Sequence, residues 1–453
     1  MILDDTIAAI ATPVGEGGLG VIRVSGFDAH RIAAQLFCRK GGKPGDPLES
    51  HRLYFGTLCG SAGPVDEVCV VYMQSPRSYT RQDMVEISCH GSPAVLRRAV
   101  NALLNAGARM AEPGEFTKRA FLSGRIDLSQ AEGVIDLIKA RSEGAARAAF
   151  GLMEGGLSRR IEAVRQKLVW TLSHLEASID FPDEEFVTAA DGELRRTLTE
   201  AARRLDVLIK SYDGGKFLKH GLSLAIIGKP NAGKSSLLNA LLEEERAIVS
   251  GIPGTTRDLI RAEGELSGLK VELIDTAGLN PSPDEVEAEG IRRALKAAET
   301  ADAVIGLFDG SRPWEKSDTT VLETLKKARL HLAVINKADM PQRIAWPDAA
   351  ISPVHISVKE MRGLDPLLKK IAAFAHDAEN LNSEEPVVTR LRHREIFCRI
   401  AEDLRRAAAE VELGRELAAA SVWDALEEIK RFTGESYTEE VLSAIFDEFC
   451  VGK

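Results

Sequence analysis

The run Gly228-Lys-Pro-Asn-Ala-Gly233-Lys234-Ser235 carries the most recognisable chemistry in this 453-residue chain. Its G-x-x-x-x-G-K-S spacing follows the apolar run Leu222–Ile227 and precedes a helix-forming stretch. A strand, a glycine-rich turn and a helix start in that order present backbone N–H groups to phosphate oxygens. In this reading Lys234 neutralises the β and γ oxygens, and the Ser235 hydroxyl ligates Mg²⁺. A glycine turn with a chance lysine would have no need of the flanking strand and helix.

Three further segments extend the pattern. Asp275-Thr276-Ala277-Gly278 closes a second apolar run, placing Asp275 behind the Mg²⁺ ligands and the Gly278 N–H near the terminal phosphate. Asn336-Lys337-Ala-Asp339 closes another. A carboxylate there accepts two hydrogens from the N1 and N2 edge of guanine and rejects adenine through an unpaired acceptor. Ser357-Val358 follows the last apolar run, where a backbone N–H can meet the guanine O6. Four segments in this order resemble the GTPase superfamily, which implies GTP rather than ATP. Small signalling GTPases carry Gln directly after D-T-A-G to orient the attacking water. Here that position is Leu279, which cannot hydrogen-bond. Hydrolysis then needs another water-positioning group and another cation. Candidates lie in Gly254-Thr255-Thr256-Arg257-Asp258 and in Asp284-Glu285-Val286-Glu287, with Thr256 as a second Mg²⁺ hydroxyl. The acidic stretch also reads as a solvated helix start.

These segments need a scaffold, and the pattern of apolar residues predicts one. Strand candidates Leu222–Ile227, Val271–Ile274, Ala303–Phe308, Leu332–Ile335 and Val354–Ile356 alternate with helical stretches, which implies βαβ units and a parallel sheet. The first ~115 residues mix the strand candidates Gly20–Gly26, Val68–Met73 and Met84–Cys89 with helical Pro93–Leu104. Apolar residues from Phe150 to Ile179 recur every three or four positions, predicting one long helix that stops before Pro182. A second helix is predicted from Asp191 to about Tyr212, and the chain beyond about Val388 is helical again. The expected fold is therefore multidomain: an N-terminal α+β domain, a discontinuous all-α domain, and an inserted α/β P-loop GTPase domain. The expected boundaries are 1–118, 119–215, 216–379 and 380–453.

Composition limits the setting. Hydrophobic residues make up 44% and charged residues 28%, which excludes wholesale disorder. Lys plus Arg number 58 against 68 Asp plus Glu, a net charge of −10, so nucleic-acid contact requires a local basic face. Six cysteines without a Cys-x-x-Cys pair argue against a disulfide framework and a four-thiolate zinc site. No run approaches the ~18 apolar residues of a membrane span. The acidic start Met1-Ile-Leu-Asp-Asp5 is unlike a signal peptide. A cytoplasmic protein with reduced thiols and no membrane contact is expected.

The chain as a whole resembles the MnmE (TrmE) family of tRNA-modifying GTPases. The residues that carry the resemblance are Asp5-Thr-Ile, Ala11-Thr-Pro, Gly17–Gly26, Pro113-Gly-Glu-Phe116, Phe181-Pro-Asp-Glu184, Gly254–Asp258 and Phe449-Cys450-Val-Gly-Lys453. The resemblance implies a potassium-activated GTPase and a homodimer. It implies a flavoprotein partner, MnmG (GidA), in a heterotetramer or larger complex. Together they would add an aminomethyl or carboxymethylaminomethyl group at C5 of the wobble uridine of certain tRNAs. The one-carbon unit would come from 5-formyl- or 5,10-methylene-tetrahydrofolate. GTP contacts are implied for Asn231, Ala232, Gly233, Lys234, Ser235 and Ser236, then for Ser250, Gly251, Ile252, Pro253, Gly254, Thr255 and Thr256. They are also implied for Asp275, Thr276, Ala277, Gly278, Asn336, Lys337, Asp339, Ser357 and Val358. Mg²⁺ falls to Ser235 and Thr256, and K⁺ to Asn231, Ser250, Ile252 and Thr255. Glu287 matches the acid that positions the hydrolytic water indirectly. Arg23, Glu86, Arg125 and Lys453 match the folate positions. Arg125 stands where Lys also occurs, so a planar fork replaces a point donor. Asn280 stands where Arg is expected, so any contact made by that Arg is missing.

Several residues keep two readings. Arg23 and Glu86 are also ordinary strand charges. Cys450 is either a nucleophilic thiol or part of a structural plug built on Phe449. The arginines at 390, 392, 394, 399, 405 and 406 could touch phosphates, flank a solvated helix, or link the helical and GTPase domains. His90 reads as a structural residue. A ribosome-assembly GTPase switch without covalent RNA chemistry is the competing function, but the G-x-x-G loop of a KH domain is missing after residue 380. A folate-dependent methyl transferase would leave the nucleotide motifs unexplained.

Overall fold

The computed structural model describes residues 5–13, 15–181, 189–244, 260–266, 269–275, 301–374 and 386–453. Two compact units emerge, Met1–Ile135 with Lys430–Lys453, and Asp136–Ile429.

The first unit holds β1 (Ile7–Ile10), β2 (Gly17–Ser25), β3 (Phe37–Arg39), β4 (Leu53–Gly60), β5 (Gly63–Met73), β6 (Met84–Gly91) and β7 (Arg109–Met110). They form one sheet in the order β3-β4-β5-β6-β2-β1-β7, antiparallel except between β1 and β7. Helices Ala29–Leu36 and Pro93–Asn105 pack on one face through Ile32, Ala33, Leu96 and Leu103, which meet Ile22, Val24, Val85 and Ile87. Side chains alternate across a strand, so burying Ile22, Val24, Val85 and Ile87 turns Arg23 and Glu86 to the opposite face. Register then sets those two directly across from each other. A second core joins Phe121, Leu128 and Ile135 to Leu442, Ile445, Phe446 and Phe449. Residues more than 300 positions apart in sequence share it.

The second unit contains a six-stranded sheet of β8 (Leu222–Gly228), β9 (Ile260–Leu266), β10 (Leu269–Asp275), β11 (Ala303–Asp309), β12 (Leu330–Asn336) and β13 (Val354–His355). Its order is β13-β12-β11-β8-β10-β9. All pairs are parallel except β9–β10. β9 is a correction to the all-parallel expectation. Its sequence, Ile-Arg-Ala-Glu-Gly-Glu-Leu, lacks the apolar run of a strand buried on both faces.

The helical segments bring two more corrections. The stripe at 150–179 belongs to two helices, Glu143–Met153 and Gly156–Asp180, not one. Gly155 adopts φ +78° between them, a left-handed conformation that ends the first helix. The helix starting at Asp191 runs on to His220 through Gly214-Gly215. A Cβ on Gly215 would collide with the backbone carbonyl of Val388, so the glycine permits a close approach rather than a break. This helix packs along Leu391–Glu410, burying Leu198, Ala201 and Leu205 on one side and Phe397, Ile400 and Leu404 on the other. The helical layer is thus assembled from segments on both sides of the α/β sheet in sequence.

Candidate functional site

The segments singled out in sequence converge on one end of the second sheet. β8, β11 and β12 run parallel, so the loops at their carboxyl ends emerge on the same side, where α/β folds bind ligands. The phosphate-loop sequence follows β8, and helix Lys234–Glu244 begins inside it. Asn231 (φ +65°) and Gly233 (φ +102°) are both left-handed. A Cβ at Gly233 would strike the Asn336 side-chain amide, so only glycine fits there. Ser235 and Ser236 lie exposed at the helix start. The Lys234 ammonium donates to the carbonyls of Gly228 (3.0 Å) and Lys229 (2.9 Å).

Asn336 binds this loop to the loop after β12. It is 4% exposed, its Nδ2 donates to the Ala232 carbonyl (2.9 Å), and its Oδ1 accepts from the Val358 N–H (3.2 Å). Lys337 takes φ +65° and donates from Nζ to Asp309 Oδ2 (2.6 Å). Burial alone would push the Asp309 carboxyl up, but Lys337 and Ser311 outweigh it and hold the group below the usual range. Ser357 Oγ donates to Asp339 Oδ1 (2.7 Å), and this bond keeps the Asp339 carboxyl ionised below its ordinary value. The structure therefore groups Asn231–Ser236, Asn336, Lys337, Asp339, Ser357 and Val358. Asp275 ends β10 beside β8. Ser250, Gly251, Ile252, Pro253, Gly254, Thr255, Thr256, Thr276, Ala277, Gly278 and Glu287 lie outside the described residues.

A second cluster lies wholly in the first unit. Arg23 Nε donates to Glu86 Oε1 at 2.8 Å. Tyr79 has the Arg23 guanidinium 5.9 Å and the Arg125 guanidinium 4.6 Å from its ring centre. Arg125 Nη1 also donates to the Tyr79 carbonyl (2.9 Å), and the Tyr79 hydroxyl lies 3.0 Å from Thr117 Oγ1. Lys453 completes the group. Burial and the neighbouring Arg23 push its ammonium pKa down against the opposing pull of Glu86 and Cys450. All four folate candidates thus share one neighbourhood, three cationic side chains against one acidic side chain. Tyr79 was not legible beforehand, because nothing in its sequence neighbourhood sets it apart from the other tyrosines.

The segment carrying Lys453 is held by its backbone. Val451 bridges Pro113, and the Phe116 N–H donates to the Lys453 carbonyl (3.2 Å). A Cβ on Gly452 (φ +96°) would collide with the Ile10 carbonyl. Phe449 is buried and its ring lies tilted against that of Phe446, 5.7 Å between centres, whereas Cys450 is exposed. Glu115 anchors the receiving turn. It accepts from Arg109 and Arg119 (2.7 and 2.8 Å) and from the Glu112 N–H (2.8 Å).

His90 and most of the arginines singled out in the sequence have partners on the protein itself. His90 is exposed and bonded through Nδ1 to Asp66 (2.7 Å). Arg390 forms a two-pronged bond to Asp136, while Arg399 pairs with Glu428, Arg405 with Asp206 and Arg406 with Asp403. Arg394 lies over the Tyr212 ring. The partners of Arg390, Arg399 and Arg405 lie on other helices, whereas Asp403 lies in the same helix as Arg406. No described helix is long and apolar enough to cross a membrane.

A mostly parallel sheet with a phosphate loop after its first strand, inserted in sequence between helical segments and following an α+β domain along the chain, defines a multidomain protein of the P-loop GTPase class. A family model described as the MnmE helical domain matches residues 128–450, and one described as GTP-binding protein TrmE N-terminus matches residues 6–125. The tRNA modification GTPases MnmE of Geobacter sulfurreducens and Geobacter metallireducens are each 44% identical, over 460 and 462 residues, with all of both chains covered. The chain belongs to the MnmE (TrmE) family of tRNA modification GTPases. Among solved structures, the G domain of the T. maritima FeoB iron transporter matches 34% of this chain and 98% of its own at 28% identity, with a TM-score of 0.27 that adds nothing to the fold argument.

Proposed function

We propose that this protein is a potassium-activated GTPase that modifies C5 of the wobble uridine of certain tRNAs together with a flavoprotein of the MnmG (GidA) kind. Family membership along the whole chain supports the reaction, and the convergence of the phosphate loop with Asn336, Asp339 and Ser357 is the observation that carries it. The working domain boundaries are 1–118, 119–215, 216–379 and 380–453, and the cytoplasm is the working location.

The loop N–H groups of 231–236 and Lys234 hold the phosphates of GTP. Asp339 accepts from the guanine N1 and N2 hydrogens, and its bond to Ser357 keeps the carboxylate ionised and aimed. Ser235 and Thr256 hold Mg²⁺, with Asp275 behind them. Mg²⁺ supplies positive charge against the phosphate oxygens. Asn231, exposed at the turn of the loop, holds K⁺ with Thr255 and the backbone oxygens of Ser250 and Ile252. K⁺ supplies the charge that an arginine finger supplies elsewhere. Glu287 positions the hydrolytic water indirectly, a duty that Leu279 cannot perform.

Tetrahydrofolate suits the first-unit cluster, because Arg23, Arg125 and Lys453 leave an excess of positive charge for a ligand bearing carboxylates. Glu86 offers an acceptor to the donor edge of a pterin ring. Folate supplies the one-carbon unit. The protein acts as a homodimer.

Two measurements test this reading. Mass spectrometry of tRNA from cells lacking the protein should show wobble uridines without the C5 group, and unchanged uridines would refute the modification role. Hydrolysis of GTP should run faster in potassium than in sodium buffer, with the difference lost in Asn231→Ala. Equal rates in the two salts would remove the potassium site.

A further inference from the structure

A cation inside the phosphate loop has no place in the roles above. Lys229 follows the first glycine of the loop, and its Nζ donates to Asp318 Oδ2 and Glu315 Oε2, each at 2.8 Å. The side chains of Lys229 and Asp318 are only 14% and 4% exposed, so this pair is shielded from water and little screened by salt. Burial by itself would push the Lys229 ammonium pKa down, yet the two carboxylates outweigh it and raise it.

Capping of helix Lys316–Lys327 does not account for the pair. Asp318 Oδ2 already accepts from the Glu315 N–H (2.9 Å), which closes the helix start without Lys229. The other end of the residue is more informative. The Lys229 carbonyl accepts both the Lys234 ammonium (2.9 Å) and the Ala232 N–H (3.3 Å). One side chain therefore anchors the carbonyl that forms the loop's turn and holds its phosphate-seeking lysine. Asn336 braces the same loop at Ala232.

We propose that Lys229 is a positioning residue. Clamped by Asp318 and Glu315, it fixes the phosphate loop and sets where Lys234 presents its charge. The clamp acts on the phosphate half of the nucleotide and leaves base recognition, through Asp339 and Ser357, alone. This inference rests on the reading of the loop as a GTP site.

The test uses the full chain with GDP, GTP and xanthosine triphosphate. Lys229→Met should weaken GDP and GTP binding about tenfold, the scale of one charge-assisted hydrogen bond. The preference for GTP over xanthosine triphosphate should not change. Lys229→Arg, which keeps the charge and the reach, should restore most of the affinity. Asp318→Asn should follow Lys229→Met. The exposed carboxylate variant Glu315→Gln should lose less. Native binding of GDP together with unchanged binding by Lys229→Met would overturn the clamp alone. A loss that Lys229→Arg does not rescue, or one that alters base preference in parallel, would also overturn it, since general damage would then explain the effect. No GDP binding by the native chain would overturn the GTP reading and the clamp with it.

Discussion

Replacing Phe449 by Ala should release the segment that brings Lys453 to Arg23 and Glu86. Phe449 is 4% exposed and packs in a core with Phe121, Leu442, Ile445 and Phe446. Truncating a phenylalanine in such a setting costs about 3–5 kcal/mol. Beyond it, Cys450–Lys453 is held by the Phe116 and Gly114 N–H bonds to Lys453 and Cys450 (3.2 and 3.5 Å) and the Val451 bridge to Pro113. The bridge is made by the Gly114 bond itself, so two backbone hydrogen bonds contribute, together about 1–3 kcal/mol. Ordering the four residues costs about 4–8 kcal/mol of backbone entropy. The ring and the hydrogen bonds together offset that cost with little to spare, whereas the hydrogen bonds alone do not. The ring is therefore decisive. Hydrogen exchange followed by mass spectrometry should show lost protection at Gly114 and Phe116 in Phe449→Ala. Binding of 5-formyl-tetrahydrofolate should fall as far as in Lys453→Ala. Full protection at both amides, with folate affinity within twofold of native, would refute this account of the segment.

The other predictions concern separate sites. Asp339→Asn should weaken GTP and shift selection toward xanthine nucleotides, since an amide donates to the xanthine O2 where a carboxylate cannot, and competition binding with the two nucleotides reads the change. Cys450→Ser should keep potassium-stimulated hydrolysis, and loss of wobble-uridine modification in a strain carrying only that variant would assign the exposed thiol a chemical part. Glu115 governs acid stability. Burial would raise its pKa, but Arg109, the Glu112 N–H and Arg119 hold it below 4.5, so the stability it contributes is complete above that pH and is lost as pH falls through the lower folded value. Urea midpoints measured from pH 5 down to pH 3 should drop more steeply for the native protein than for Glu115→Gln, and parallel slopes would contradict the assignment.

The nucleotide site was legible because phosphate recognition is local. A strand, one glycine turn and a helix start complete the cradle within a dozen residues, so Gly228–Ser235 announces itself without knowledge of the fold. Asn336, Asp339 and Ser357 are readable for the same reason, each sitting at the end of an apolar run. The helices were legible in period and not in extent. Gly155 and Gly215 are the same residue type, yet one ends a helix and the other lets Val388 approach it, and only the neighbour decides which. β9 escaped notice because an edge strand needs no continuous apolar run. The first-unit cluster belongs wholly to tertiary structure. Arg23, Tyr79, Glu86, Arg125 and Lys453 come from a strand, a loop, the partner strand, a turn and the far end of the sequence. Strand register sets Arg23 opposite Glu86, and the packing of Phe449 delivers Lys453. Lys229 shows the same division within one motif: its place in the loop is local, but Glu315 and Asp318 reach it only because β11 lies beside β8 in the sheet. Local spacing can specify a turn that binds phosphate, whereas which distant charges meet is set by strand order and by the core that closes over them.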